Sequence, residues 1–135
     1  MTYNILVVDD EKNIREGLGK VLEMDGYKVL LASDGKEAIQ SLNRGDIDLV
    51  ITDLKMPNLS GEEVLQKARA MSANLPVIIL TGHGTIENAV RAMKNGAYDY
   101  LTKPVNMDRL SLLVQRALSA SPFRRRSPMR RSGSS

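Results

Sequence analysis

Short apolar runs alternate with amphipathic segments along this chain, and the alternation restricts its fold more than any other feature. Four runs are rich in Val, Leu and Ile, and a weaker fifth follows them. They begin at Ile5, Val29, Leu49, Val77 and Asp99. Short runs that are apolar on both faces and rich in β-branched residues are typical of strands buried in a parallel sheet.

The segments between these runs have helical spacing and helix boundary signals. Ile14, Leu18 and Leu22 share one face of a predicted first helix, and Gly26 follows as its stop. Asp34 with Glu37, and Ser60 with Glu63, have the spacing of capping boxes. Further predicted caps and stops are Thr85, Gly96 and Asn106.

The order is therefore strand then helix, five times over. This pattern predicts an α/β fold, a doubly wound (βα)5 unit with a five-stranded parallel sheet and helices on both faces. Right-handed crossovers leave few topologies for such a unit.

Length and composition indicate one domain of ordinary globular type. The chain has 135 residues, of which 42% are hydrophobic, enough to bury a core without staples. Since cysteine is absent, a disulfide framework and a thiolate metal site are excluded. No apolar run approaches the roughly 20 residues of a membrane span, and a signal peptide pattern is missing. We therefore expect a cytoplasmic protein without a membrane partner.

Charge is distributed unevenly between the body and the last dozen residues. Residues 1–120 carry all 16 acidic residues and 14 of the 19 basic ones, so the body has a net charge of −2. The remaining five are arginines, between Arg124 and Arg131. We predict an ordered domain over residues 1–120 and a disordered basic tail of Arg, Ser and Pro over residues 121–135. The tail could contact nucleic acid electrostatically, but a linker remnant or a sequence added for expression is the favoured interpretation.

Polar residues follow four of the predicted strands at their carboxyl ends, where ligands bind in open α/β sheets. They are Asp9 and Asp10 after the first strand, Asp53 at the third, Thr81 at the fourth and Lys103 after the fifth. Each signal is weak alone, since an acidic pair is often a solvated turn and an aspartate often a cap. Their joint placement at successive strand ends indicates one site.

The charges of this set suggest its chemistry. Three carboxylates close together repel one another unless a cation neutralises them. Oxygen ligands suit a hard ion, so Mg²⁺ is the expected metal. Lys103 offers a second positive charge to a phosphoryl oxygen, and Thr81 a hydroxyl donor. The set predicts phosphoryl transfer onto a carboxylate nucleophile.

These residues resemble the receiver domain of bacterial two-component response regulators. The resemblance covers residues 3–119 and rests on Asp9-Asp10, on residues 53–61 (Asp-Leu-Lys-Met-Pro-Asn-Leu-Ser-Gly), on residues 81–84 (Thr-Gly-His-Gly) and on Lys103-Pro104. It implies a sheet order of 2-1-3-4-5. The stretch from residue 81 to 104 is most similar to receivers of transcription activators that bind enhancers and work with the alternative sigma factor.

The resemblance also implies a role for each position, and the sequence departs from the family at none of them. Asp53 corresponds to the phosphoacceptor, with Asp10 as a direct Mg²⁺ ligand and Asp9 as its partner. The backbone carbonyl of Lys55 corresponds to a third protein ligand, and Mn²⁺ could replace Mg²⁺. The other implied roles are a switch hydroxyl at Thr81, a coupled aromatic at Tyr100, and a phosphoryl-pairing lysine at Lys103 that precedes a cis Pro104. Met56-Pro57 and Gly61 shape the loop after the acceptor.

The expected function is signalling rather than turnover of a substrate. A sensor histidine kinase would phosphorylate Asp53, and the surface of the fourth helix, fifth strand and fifth helix would change to control an output such as transcription, or would form a homodimer. The receiver itself is not expected to bind nucleic acid.

Three alternatives remain open. One is a stand-alone receiver that acts by protein interaction or in a phosphorelay. A second is a pure interaction module. A third is a Mg²⁺ phosphatase with an aspartyl-phosphate intermediate, but such enzymes usually place an acid–base aspartate where this chain has Lys55.

Two smaller features also have two interpretations each. His83 near the mouth of the site and the Lys55 side chain could modulate the chemistry or be solvated loop residues.

Overall fold

Strands and helices alternate along the whole described chain. The structure is a computed structural model that describes residues 2–56, 60–82 and 86–119. The strands are β1 (Asn4–Val8), β2 (Lys28–Ala32), β3 (Leu49–Asp53), β4 (Val77–Thr81) and β5 (Asp99–Thr102). The helices are α1 (Lys12–Met24), α2 (Gly35–Leu42), α3 (Gly61–Met71), α4 (Ile86–Lys94) and α5 (Met107–Ser119). The predicted fivefold alternation is confirmed.

The five strands form one parallel sheet in the order β2-β1-β3-β4-β5. Both the fold class and the strand order expected from the resemblance are confirmed. β1 pairs with β2 on one side and with β3 on the other, so the winding of the chain reverses between β1 and β3. This reversal opens a crevice beyond the carboxyl ends of these strands, where ligands bind in such sheets.

Helices cover both faces of the sheet because the inner strands are apolar on both faces. In β1, Ile5 and Val7 point to a core shared with α1 and α5. Leu6 and Val8 point to a second core shared with α2, α3 and α4. The two cores clamp the sheet and thereby fix the positions of its strand ends.

The edge strand β2 is more exposed than predicted, since the sequence predicted a strand buried on both faces. Leu31 is 45% exposed, and Val29 and Leu30 are half-buried. The apolar triplet resembles an inner strand in sequence, but β2 has a neighbouring strand on one side only. The expectation of full burial holds for β3 and β4, where every residue is buried.

The helix boundaries follow most of the predicted signals. Ser60 and Glu63 form a complete capping box at the start of α3. Asp34 caps α2 by accepting a hydrogen bond from the Glu37 amide, but the Glu37 carboxylate binds Ser33 instead of closing the box. The Asn106 side chain accepts a hydrogen bond from the Arg109 amide at the start of α5.

Two glycines end helices as predicted, since Gly26 and Gly96 have positive φ angles of 98° and 106°. The predicted cap at Thr85 and the predicted tail over residues 121–135 lie outside the described residues. Within the described ranges, no helix has the length and apolar character needed to cross a membrane.

Candidate functional site

A cleft of about 420 Å³, lined mostly by charged and polar residues, opens at the carboxyl edge of the sheet. The loops after β1, β3, β4 and β5 all contribute to it, as the sequence predicted. The cleft is lined by Asp10, Glu11, Asp53, Leu54, Lys55, Thr81, Gly82 and Lys103. Residues from four strand ends that are far apart in sequence therefore share one site.

The ammonium group of Lys103 lies among the carboxylates of this cleft. Its Nζ is 2.8 Å from Asp53 Oδ2 and 3.0 Å from Asp9 Oδ2, the second as an ion pair rather than a well-directed hydrogen bond. Burial alone would lower the pKa of Lys103, but these two carboxylates outweigh it and raise that pKa well above the usual lysine range. Lys103 is therefore charged at physiological pH.

Asp9 is buried beneath the cleft. Burial raises the pKa of its carboxyl group, and the hydrogen bond from the Glu11 amide and the Lys103 charge offset this only in part. The Glu11 amide donates to Asp9 Oδ1 at 2.9 Å, and the Arg15 guanidinium donates to the Asp9 backbone carbonyl at 2.9 Å. Asp9 is thus held in place by contacts from the loop after β1 and from α1.

The three predicted acidic residues come together. Carboxylate oxygens of Asp9, Asp10 and Asp53 lie within 4.8 Å of one another, with Asp10 exposed and the other two buried. Mg²⁺ takes oxygen ligands and usually keeps several waters. The donor set consists of carboxylates alone, and an exposed member opens it to solvent, so these residues fit Mg²⁺.

The Asp53 side chain is oriented by its own strand and loop. Its Oδ1 accepts a hydrogen bond from the Lys55 amide at 3.2 Å, while Oδ2 pairs with Lys103. The buried Thr52 hydroxyl donates to the Asp53 carbonyl at 2.9 Å. Both carboxylate oxygens therefore point toward groups of the cleft.

Gly61 lets the loop after Asp53 return close to it. A Cβ atom at Gly61 would overlap the Asp53 carbonyl oxygen and lie 2.7 Å from Leu54 Cα, a separation that real Cβ atoms do not show. The Gly61 amide also donates to the Leu54 carbonyl at 3.0 Å. The predicted role of Gly61 in shaping this loop has a steric basis; Pro57 lies outside the described residues.

The Thr81 hydroxyl is buried and has no hydrogen-bond partner among the described residues. Its backbone is nevertheless tied to the site, since the Thr81 carbonyl accepts a 2.7 Å hydrogen bond from the Lys103 amide. Buried hydroxyls are normally satisfied, so an orphaned one at a cleft needs an explanation. A ligand with oxygen acceptors in the cleft would provide the missing partner.

Tyr100 and Lys55 take different positions from the acidic group. Tyr100 is half-buried against the core under α2, α3 and α4 and does not line the cleft. Lys55 lines the cleft and is exposed, like a solvated loop lysine. The Lys103-Pro104 peptide is cis, as the resemblance implied. His83 lies outside the described residues.

Two contacting residues were missed by the sequence reasoning. Glu11 lines the cleft, with Oε1 3.4 Å from Lys103 Nζ. Arg15 braces Asp9 from the first turn of α1. Glu11 could have been suspected because it directly follows Asp9 and Asp10 at a strand end, whereas Arg15 has no comparable signal.

Comparison with known proteins gives a consistent result. The response regulator receiver domain family matches residues 5–115. Among solved structures, a response regulator receiver domain protein from Clostridium thermocellum is 45% identical, with a TM-score of 0.81 over 87% of this chain and 95% of that one. The receiver domain of NtrX from Brucella abortus is 39% identical, with a TM-score of 0.83 over 87% and 99% of the two chains.

Curated relatives are longer transcriptional regulators. The transcriptional regulatory protein GlrR of Escherichia coli K12 is 40% identical over 118 residues, which are 87% of this chain and 27% of GlrR. The regulatory protein AtoC of the same organism is 36% identical over 90% of this chain and 26% of AtoC. The chain thus spans about a quarter of the length of these relatives.

Proposed function

This chain belongs to the response regulator receiver domain family, and from that premise we propose that Asp53 accepts a phosphoryl group in a Mg²⁺-dependent reaction. The phosphoryl group would serve as a stored signal rather than an intermediate of substrate turnover. The single observation that carries the proposal is the cleft itself, where Lys103, the acidic group and an unsatisfied Thr81 hydroxyl converge on Asp53.

Asp10 and Asp53, with Asp9 beneath them and the Lys55 carbonyl, are proposed to hold the metal. Receiver domains generally bind Mg²⁺, and the carboxylates of this cleft suit it. The ion would supply positive charge that offsets the carboxylates and the incoming phosphoryl oxygens. Mn²⁺, which also takes oxygen ligands, could replace it.

The transfer step follows from the position of Asp53. A carboxylate oxygen of Asp53 attacks phosphorus in line, so an O–P bond forms while the N–P bond to a kinase phosphohistidine breaks and the electron pair returns to the imidazole. Lys103 already contacts Asp53 Oδ2 at 2.8 Å, and a short movement would bring its ammonium to the phosphoryl oxygens. This charge stabilises the transferring group where its negative charge is spread.

The response to phosphorylation is proposed to pass through Thr81. Its hydroxyl would donate to a phosphoryl oxygen and gain the partner it lacks. Because β4 pairs with β5 in register, with Ile79 opposite Tyr100, movement of β4 reaches Tyr100 directly. The surface of α4, β5 and α5 would then shift between two pre-existing arrangements.

This surface is the proposed contact for an output or for a second copy of the chain. Its α4 exposes Ile86, Val90 and Met93 at helical spacing.

The proposed upstream partner is a sensor histidine kinase. The proposed output is transcriptional, as in the relatives, and the proposed location is the cytoplasm. The proposed receiver extends over residues 1–120, beyond the matched 5–115, with no direct contact to nucleic acid or membrane. Fusion to an output domain is favoured over a stand-alone receiver.

Incubation with acetyl phosphate, followed by intact-mass measurement, tests the proposal. We expect a phosphoryl adduct in the wild type when Mg²⁺ is present. The adduct should not form when Mg²⁺ is chelated before the incubation, and it should be absent from the Asp53→Asn variant. An adduct that persists in Asp53→Asn, or none in the wild type, would refute the proposal. Repeated hydrolysis of a phosphomonoester would instead favour an enzyme.

A further inference from the structure

Glu11 contributes a third carboxylate to the environment of Lys103. Its Oε1 lies 3.4 Å from Lys103 Nζ, farther than the oxygens of Asp53 and Asp9. Its side chain is 62% exposed, whereas those of Asp53 and Asp9 are 11% and 0% exposed. Glu11 therefore holds Lys103 from the mouth of the cleft, and the other two hold it from the floor.

The position of Glu11 at the start of α1 supports a role outside helix formation. It is the residue that precedes the first turn of α1, yet its side chain makes no capping hydrogen bond. Asp34 and Ser60, at the same position before α2 and α3, both cap their helices. Helix starts favour Ser, Thr, Asp and Asn for this purpose. At α1 the side chain points to Lys103 instead.

The charge of Glu11 has opposite consequences for the two proposed ligands of the cleft. Asp9, Asp10 and Asp53 are already grouped within 4.8 Å, and Glu11 adds negative charge beside them. That charge attracts a divalent cation and repels the oxygens of a phosphoryl group. Its contact with Lys103 also competes with Asp53 and Asp9 for the ammonium group.

We propose that Glu11 is a positioning residue that sets a balance in the cleft, strengthening the binding of the cation and weakening the hold of Lys103 on a phosphoryl group. The inference rests on the proposed function of Asp53. When the phosphoryl group arrives, the contact between Glu11 and Lys103 is the one that breaks, and Lys103 pairs with the phosphoryl oxygens instead.

The test compares Glu11→Gln with Glu23→Gln, which removes the same charge from an exposed position at the far end of α1. Mg²⁺ affinity is measured by amide NMR titration, and beryllofluoride affinity by the same method at saturating Mg²⁺. We expect Glu11→Gln to weaken Mg²⁺ binding about two- to fivefold and to tighten beryllofluoride binding by a similar factor, as befits a partly exposed charge. Glu23→Gln should change neither.

A second variant separates this role from a structural one. Glu11→Ser supplies a good helix cap and should raise thermal stability, yet it should shift the two affinities in the same opposite directions as Glu11→Gln. If Glu11→Gln shifts both affinities in one direction, or no more than Glu23→Gln does, Glu11 has no such role. If the wild type binds neither probe, the proposed function of Asp53 fails and the role of Glu11 fails with it.

Discussion

Two regions at the cleft differ in how their buried polar groups are paired. The acceptor side, formed by Asp9, Asp53 and Lys103, is joined by contacts of 2.8 and 3.0 Å. The hydroxyl side, formed by Thr81 in the cleft and by Tyr100 on the neighbouring strand β5, holds a buried hydroxyl with neither a hydrogen bond nor an ion pair among the described residues and a half-buried ring. The acceptor side is thus already ion-paired before any ligand arrives, whereas the Thr81 hydroxyl still has a bond to form.

This difference extends to the helices next to each side. α1 and the loop before it brace Asp9 through Glu11 and Arg15. α4, which follows the hydroxyl side, leaves Ile86, Val90 and Met93 between 37% and 48% exposed. We propose that the braced region serves the chemistry and that the exposed surface of α4 responds to it.

The largest effect on stability is expected from a substitution at Gly61, which packs against the backbone of the acceptor side. Gly61→Ala places a Cβ against the Asp53 carbonyl and Leu54, so the backbone must shift and the free energy of unfolding should fall by about 1–3 kcal/mol. Gly17→Ala is the matched control, since nothing lies within 4 Å of the added Cβ. In the α1 interior it should raise stability by up to about 1 kcal/mol.

Urea unfolding measures both glycine variants, with the metal absent. Equal effects of the two substitutions would mean that the loop after Asp53 is loose enough to accept a side chain, and the acceptor side would then not be preorganised.

A pair of valine substitutions compares the two sides directly. Thr52 and Thr81 are both buried threonines near strand ends. Among the described residues, the Thr52 hydroxyl donates to the Asp53 carbonyl, whereas the Thr81 hydroxyl has no hydrogen-bond partner. Thr52→Val should cost about 1–2 kcal/mol because it removes a buried hydrogen bond, whereas Thr81→Val should be neutral or slightly stabilising. The measurement is the unfolding free energy of each variant at neutral pH.

A Thr81→Val variant as unstable as Thr52→Val would show that the Thr81 hydroxyl is bonded in the resting protein. The contrast between the two sides would then disappear.

The smallest expected effect concerns Glu37, beside the end of β2. Hydrogen bonds from the Ser33 amide and hydroxyl, at 2.6 and 2.7 Å, lower the pKa of its carboxyl group. Since the folded pKa lies below the unfolded one, its ionised form contributes stability above about pH 4.5, and this contribution is lost as pH falls through the folded pKa. Glu37→Gln should therefore be slightly less stable at neutral pH.

The gap between wild type and Glu37→Gln should narrow in unfolding curves taken at decreasing pH. A gap that stays constant would assign the effect to packing instead of ionisation.

Much of the fold could be predicted because apolar runs and helix caps are local signals. β3 and β4 are buried on both faces as predicted, and Ser60 and Gly26 mark helix ends where expected. The exposure of Leu31 could not be predicted, because an apolar triplet has the same sequence pattern in an edge strand as in an inner strand. Strand order is set by which strands pair, and the alternation alone does not specify it.

Most members of the candidate site were predictable, but Glu11, Arg15 and the side-chain contacts were not. Strand-end positions placed Asp9, Asp53 and Lys103 at one edge of the sheet, and the structure brings them together. The contact of Glu11 with Lys103 joins side chains that are 92 positions apart in the sequence. The unsatisfied Thr81 hydroxyl depends on which groups surround it in the folded chain. Such facts are three-dimensional and leave no periodic signal.

The most direct test follows amide NMR signals while beryllofluoride and Mg²⁺ are added to the wild type and to Asp53→Asn. We predict that shifts in the wild type begin around Asp53 and extend through Thr81 to Tyr100 and α4, and that Asp53→Asn shows none with beryllofluoride. Shifts that stay confined to the acceptor side, or that survive in Asp53→Asn, would contradict the claim that Asp53 receives the signal and the hydroxyl side transmits it.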